Sequence, residues 1–142
     1  MTAAELTKLL RTLAVKQDVL LSSLDDVTLG AMLFDAARTL PTEHDVTERV
    51  ATESLHAWLA HIGSMLRYDA VELRRQLVDW QFVERDGYGR AYHRAAVCPA
   101  RFAATCAAAE SLDFEEIVSR ARARDIETRI ARKAAHLERL AA

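Results

Sequence analysis

The stretch from Tyr68 to Arg94, YDAVELRRQLVDWQFVERDGYGRAYHR, constrains the fold more than any other, because its apolar period changes midway. Val71, Leu73, Leu77, Val78 and Trp80 recur at spacings near three and four, with Asp69 placed as an N-cap and acids and arginines filling the other face. That pattern predicts an amphipathic helix ending near Gln81. Phe82-Val83 and Ala91-Tyr92 are then β-formers on either side of Asp86-Gly87-Tyr88-Gly89, and an Asp-Gly pair in that setting is a strong hairpin signal. A helix followed directly by a short hairpin is the order of a winged-helix module, whose helix enters a duplex groove while the hairpin lies alongside.

The same residues carry a resemblance. Asp69, Leu73, Arg74, Arg75, Leu77, Val78, Asp79, Trp80, Phe82, Val83 and Arg85 are followed by Gly87, Tyr92 and Arg94. This series resembles the bacterial domain-of-unknown-function family numbered 2087, in which such a helix run leads into a turn and an aromatic strand. Upstream, Thr52, Glu53, Leu55, Trp58 and Leu59 sit where that family shows a threonine, a glutamate and a short apolar helix. The likeness spans residues of about 45 to 96 and is densest over 69–94. It implies a winged-helix-like fold often joined to bacterial transcriptional regulators, and it implies no reaction, since the family has no established activity.

Elsewhere the chain reads as helical. Only two prolines and four glycines interrupt 142 residues of which 51% are apolar, enough for one sizeable core. Leu6, Leu9, Leu10 and Leu13 predict a first helix from Thr2 to about Lys16, opened by a Thr2–Glu5 capping box. A second is expected from about Val27 to Leu40, capped by Asp25 or Asp26 and stopped by Pro41, then a short strand around Val46 to Ala51. A third, Glu53 to Ile62, turns Leu55, Trp58 and Leu59 inward and closes at Gly63-Ser64. After the hairpin, Pro99 suits the start of an alanine-rich helix to about Glu110, and Asp113 with Glu116 opens a last helix from Phe114 to Leu140. At 1.5 Å per residue that helix is about 40 Å long, so it must bend back or meet a second copy of the chain. The expected class is thus mainly α: a winged-helix module of three helices and a small β-hairpin at 45–97, N-terminal helices at 1–44, and C-terminal helices at 98–142 that form a homodimer.

Charge bears on partners. The formal charge of −2 gives no global attraction to nucleic acid, but residues 67–101 hold 7 basic and 5 acidic side chains and residues 120–142 hold 7 and 3. Two local basic regions result. Arg67, Arg74 and Arg75 flank or occupy the predicted recognition helix, and Tyr88, Arg90, His93 and Arg94 lie on the hairpin; these are the expected contacts to double-stranded DNA. Interleaved acids leave a second reading open for the central pair, in which Arg74 or Arg75 ties the helix to its neighbours. Tyr88 fits groove contact and turn packing equally well.

Catalytic chemistry is not indicated. The chain has no P-loop, GxGxxG or GxSxG, and His56 and His61 stand five apart, off the shared helical face that a zinc protease needs. Cys98 and Cys106 lack CxxC spacing and are read as reduced packing residues, so no metal or cofactor is expected. No apolar run spans a membrane and the N-terminus lacks secretory order, which places the protein in a bacterial cytoplasm. We expect a non-enzymatic, DNA-binding winged-helix regulator, with a non-catalytic protein-interaction module of the same shape as the alternative.

Overall fold

The computed structural model describes residues 1–142. Its elements are α1 (Ala3–Ala14), α2 (Asp26–Ala37), β1 (Val46–Thr47), α3 (Glu48–Ala60), α4 (Ala70–Asp79), β2 (Val83–Arg85), β3 (Ala91–Arg94), α5 (Ala103–Ala109) and α6 (Phe114–Ala141). Single 3-10 turns lie at Leu21–Ser23 and Ala100–Phe102. From α2 to β3 this is helix, strand, helix, helix and hairpin, and the antiparallel sheet has the order β1-β3-β2. That is the winged-helix arrangement, with α4 as its third helix and β2–β3 as the wing.

Short polar side chains set where the helices start. Thr2 and Glu5 form the capping box, and Asp25, Asp69 and Asp113 accept the backbone N–H groups of Thr28, Glu72 and Glu116. One cap departs from expectation. Thr47 accepts from Val50 N–H at 3.2 Å, so α3 begins at Glu48, five residues before the Glu53 expected, and the first strand shrinks to two residues. The β-formers Val46 and Val50 hide this start, because the cap lies between them and no acid stands at its third helical position.

The end of α4 fixes how the wing leaves the helix. Gln81 has a positive φ of 67° and its N–H donates to Val78 O, while the Phe82 N–H reaches back to Leu77 O at 2.9 Å. This paired closure turns the chain abruptly into β2 and brings Phe82 onto the core beside Leu77. At the wing tip the turn is closed by Gly89 N–H on Asp86 O, and Gly89, at φ +68°, holds the left-handed position. The hairpin therefore has a longer loop than a two-residue turn on Asp86-Gly87, because Asp86 N–H pairs only with Ala91 O.

One continuous cluster of 29 buried residues runs from Leu6 to Val118 and does not divide near residues 44 or 97. Helix α2 belongs to the module as its first helix. At its centre Gly30 lets Phe102 approach; a Cβ there would lie 2.5 Å from Phe102 Cδ1. Phe102 in turn packs against Trp80 and Phe82, joining the C-terminal segment to the end of α4 and the base of the wing. The polar link is Asp35, only 6% exposed, which accepts from Trp58 Nε1 at 2.8 Å and from Arg38 at 2.6 Å. Arg38 also donates to the carbonyls of Glu110 and Leu112, so one carboxylate connects α2, α3 and the α5–α6 turn.

Two further outcomes concern the C-terminal third. Cys98 and Cys106 are joined in a disulfide, which corrects the reading of two reduced packing residues. Pro99 and the 3-10 turn after it reverse the chain, leaving the two Cα atoms 6.5 Å apart, within the span of a disulfide. Helix α6 does not bend back. Its first turns bury Phe114 and Val118 and lie against α1, whereas Ile126, Ile130, Leu137 and Leu140 stand 55–69% exposed.

Candidate nucleic-acid interface

Helix α4 divides its arginines by position. Ala70, Leu73 and Leu77 are its buried face, and Arg74, four residues after Ala70 and three before Leu77, shares that face. Its guanidinium donates to Thr52 Oγ1 at 2.7 Å, meets Glu48 at 3.2 Å and lies 5.3 Å from the centre of the Tyr92 ring. Arg74 ties α4 to α3 and β3, as the second reading of the central pair has it, while it also lines the cleft between α4 and the wing. A mostly buried cation is tolerated here because the Thr52 hydroxyl, the Glu48 carboxylate and the Tyr92 ring face it.

Arg75, one residue on, points outward and has no carboxylate within 4 Å. It lines a cleft of about 420 Å³ between α4 and the wing, together with Arg85, Tyr88, Glu48 and Asp79. Arg85 is likewise exposed and unpaired. Tyr88 at the wing tip is 86% exposed, so the reading of turn packing gives way to display. Arg90 sits beside it, with its guanidinium 5.9 Å from the Tyr88 ring and its backbone N–H on Asp86 Oδ1. That bond is the main reason the Asp86 carboxyl is held below its ordinary range.

The structure separates the other expected contacts. Arg67 is exposed ahead of α4, on a connection pinned to the chain after α1: Val19 donates to Met65 O, and Arg67 N–H to Val19 O, each at 2.8 Å. His93 is turned the other way. On the outer face of the sheet its ring bridges two carboxylates, Nδ1 to Asp45 and Nε2 to Glu84, both at 2.8 Å. Both ring nitrogens are thus engaged within the protein. The Asp45 bond, ahead of that to Glu84, raises the imidazole above its ordinary 6.5. Arg94 lines a different cleft, beside Pro41, His44 and Val46, and does not join Arg75 and Arg85.

Acids moderate this surface. Asp69 is held below the ordinary carboxyl range by the Glu72 N–H that it caps, and Glu72 is pushed up by the neighbouring Asp69. Arg85 is the residue that the expected contact set lacked. Its signal was the strand period: Arg85 pairs with Tyr92, placing both on the sheet face that looks toward α4.

Residues 28–94 match the family described as "Uncharacterized protein conserved in bacteria (DUF2087)". That segment, just under half of the 142 residues, is similar to the family. The match begins within α2, earlier than the likeness read near residue 45, and so includes the first helix of the winged-helix arrangement. It ends at Arg94, so the matched segment holds every residue of the α4–wing cleft, whereas α5 and α6 lie beyond it. No curated protein and no solved structure matches the chain.

Two outcomes follow from these positions. Arg74→Ala should lower stability to urea by about 1–3 kcal/mol, because it removes a tertiary link and leaves the half-buried Thr52 hydroxyl without its partner, while Arg75→Ala stays within about 0.5 kcal/mol. The reverse order would contradict the assignment of Arg74 as the internal tie. His93, raised above 6.5 in the folded state, adds stability that is complete below pH 6.5 and is lost as pH climbs through the folded value. The stability gap between the parent protein and His93→Gln should therefore be wider at about pH 6 than at about pH 9; a gap that widens with pH would contradict the two-carboxylate bridge.

Proposed function

We propose that the segment matching DUF2087 binds double-stranded DNA through α4 and the wing, and that the protein is a non-catalytic bacterial transcriptional regulator. One observation carries this reading: Arg75 and Arg85, each exposed and without a carboxylate within 4 Å, converge on the same cleft beside a displayed wing tyrosine. An unpaired guanidinium offers parallel N–H donors to a phosphate or a guanine edge. Arg75 stands where a recognition helix meets the major groove, and Arg85 and Arg90 stand where a wing follows the flanking backbone. Arg67, just before the N-terminus of α4, adds a charge at the end of the helix whose dipole favours phosphate. Glu72 and Asp79 on the exposed side of α4 repel phosphate in wrong registers and can accept from cytosine amino groups.

A second copy of the chain fits the far half of α6. Ile126, Ile130, Leu137 and Leu140 fall at steps of four, seven and three, the alternating seam of a two-stranded coil, with Lys133 at the one inner position that is polar. The same stripe on a partner is its own complement, which gives a twofold dimer carrying two recognition helices. If no duplex binds, the same shape with its apolar stripe leaves the protein-interaction reading.

Fluorescence anisotropy with duplex DNA across a salt series tests the DNA reading. Arg75→Ala with Arg85→Ala should flatten the slope of log affinity against log salt by about two, with an unchanged melting curve. Absence of duplex binding by the parent protein at low salt would overturn it. For the dimer, light scattering should give twice the chain mass for the parent and the single mass for Ile130→Glu with Leu137→Glu. A single mass for the parent would remove the seam.

A further inference from the structure

The second basic region forms a site of its own. In the last turns of α1, Arg11 meets a face of α6 that carries Arg120, Arg124 and Arg132, and these four line a cleft of about 280 Å³ with Thr128 and Asp125. Along α6 these positions fall at multiples of four residues, about 6 Å of axis per step, so one side of the helix presents them in a row. Arg11 comes from a different element, more than a hundred positions away in sequence, and only the α1–α6 packing brings it there.

The cleft's charge is poorly balanced from within. Asp125 is its one acid, and Arg129 already holds that carboxylate at 3.0 Å on a neighbouring face. Arg120 reaches Glu116 at 3.5 Å, with both side chains well exposed, an arrangement that contributes little. Arg11, Arg124 and Arg132 have no carboxylate within 4 Å. Guanidiniums gathered this way repel one another unless an anion lies between them, and phosphate oxygens match their fork of donors.

The row is also rigidly mounted. Arg122 donates from Nε to Ala14 O at 3.1 Å, and from its two terminal nitrogens to His61 O at 2.7 Å and Ile62 O at 3.1 Å. It thereby satisfies the carbonyl ends of α1 and α3, where a cation is favoured, and burial holds its pKa below the ordinary value. The His61 and Ile62 carbonyls it grips belong to the connection that leads through Arg67 into the cap of α4, so the arginine row is fixed to the segment that presents the recognition helix.

We propose that the α1–α6 cleft is a phosphate-binding site, which takes backbone phosphates of the duplex held by α4 and the wing. The last clause rests on the DNA reading above. The same chemistry would take a free polyphosphate, and the test separates the two sources. Arg124→Ala with Arg132→Ala in the full chain leaves Arg122 and the core intact. If backbone phosphates occupy the cleft, this variant binds duplex with a salt slope shallower by about two, whatever the base sequence. Isothermal titration with tripolyphosphate is the second arm: binding by the parent that is lost in the variant keeps the site even where the parent fails to bind duplex, which sinks the DNA reading alone. A variant that matches the parent in both measurements overturns the phosphate site.

Discussion

The fold depends on one buried carboxylate. Asp35 would be costly to enclose without donors, and it has three: the Trp58 indole and two guanidinium nitrogens of Arg38. Because Arg38 also gathers the carbonyls of Glu110 and Leu112 and lies over the rings of Phe34 and Phe114, the network sets the first helix of the module against α3 and the start of α6 at once. Phe102 completes the frame from the apolar side, wedged against Gly30 and below Trp80 and Phe82. The end of α4 and the base of the wing are held by these ring contacts.

The arginines divide between inside and outside. Arg38, Arg74 and Arg122 face backbone carbonyls, a hydroxyl and aromatic rings inside the protein, where planar guanidinium groups satisfy several acceptors together. Arg75, Arg85, Arg90 and the row on α6 remain outside, and it is these that give a chain of net charge −2 its two positive surfaces. Net charge is thus a poor guide to such a molecule, since part of its acid is held in helix caps and in the Asp45–His93–Glu84 bridge.

Much of the architecture was legible in the sequence, for local reasons. Asp25, Asp69 and Asp113 announce helix starts by chemistry confined to three residues, Pro41 marks a stop, and the change of period after Trp80 announces the wing. The inner role of Arg74 was one of two readings open for the central pair, and its spacing from Ala70 and Leu77 is what singles it out from Arg75. What stayed hidden depends on distant partners. Asp45 meets His93 across 48 positions, Thr52 meets Arg74 across 22, and Arg11 joins the α6 row through tertiary packing alone. The Cys98–Cys106 bond was missed because spacing rules describe fixed motifs, whereas a proline-led turn brought the two residues together.

The central claim is that the arginines fall into two populations, internal ties and a displayed set that meets polyanion. Nuclear magnetic resonance of the arginine side-chain Nε–Hε groups, followed while duplex DNA is added at low salt, reads both populations in one sample. The account predicts slow solvent exchange and fixed positions for Arg38, Arg74 and Arg122, with fast exchange and progressive shifts for Arg75 and Arg85. Shifts confined to the internal three, or no shift in any arginine, would contradict it.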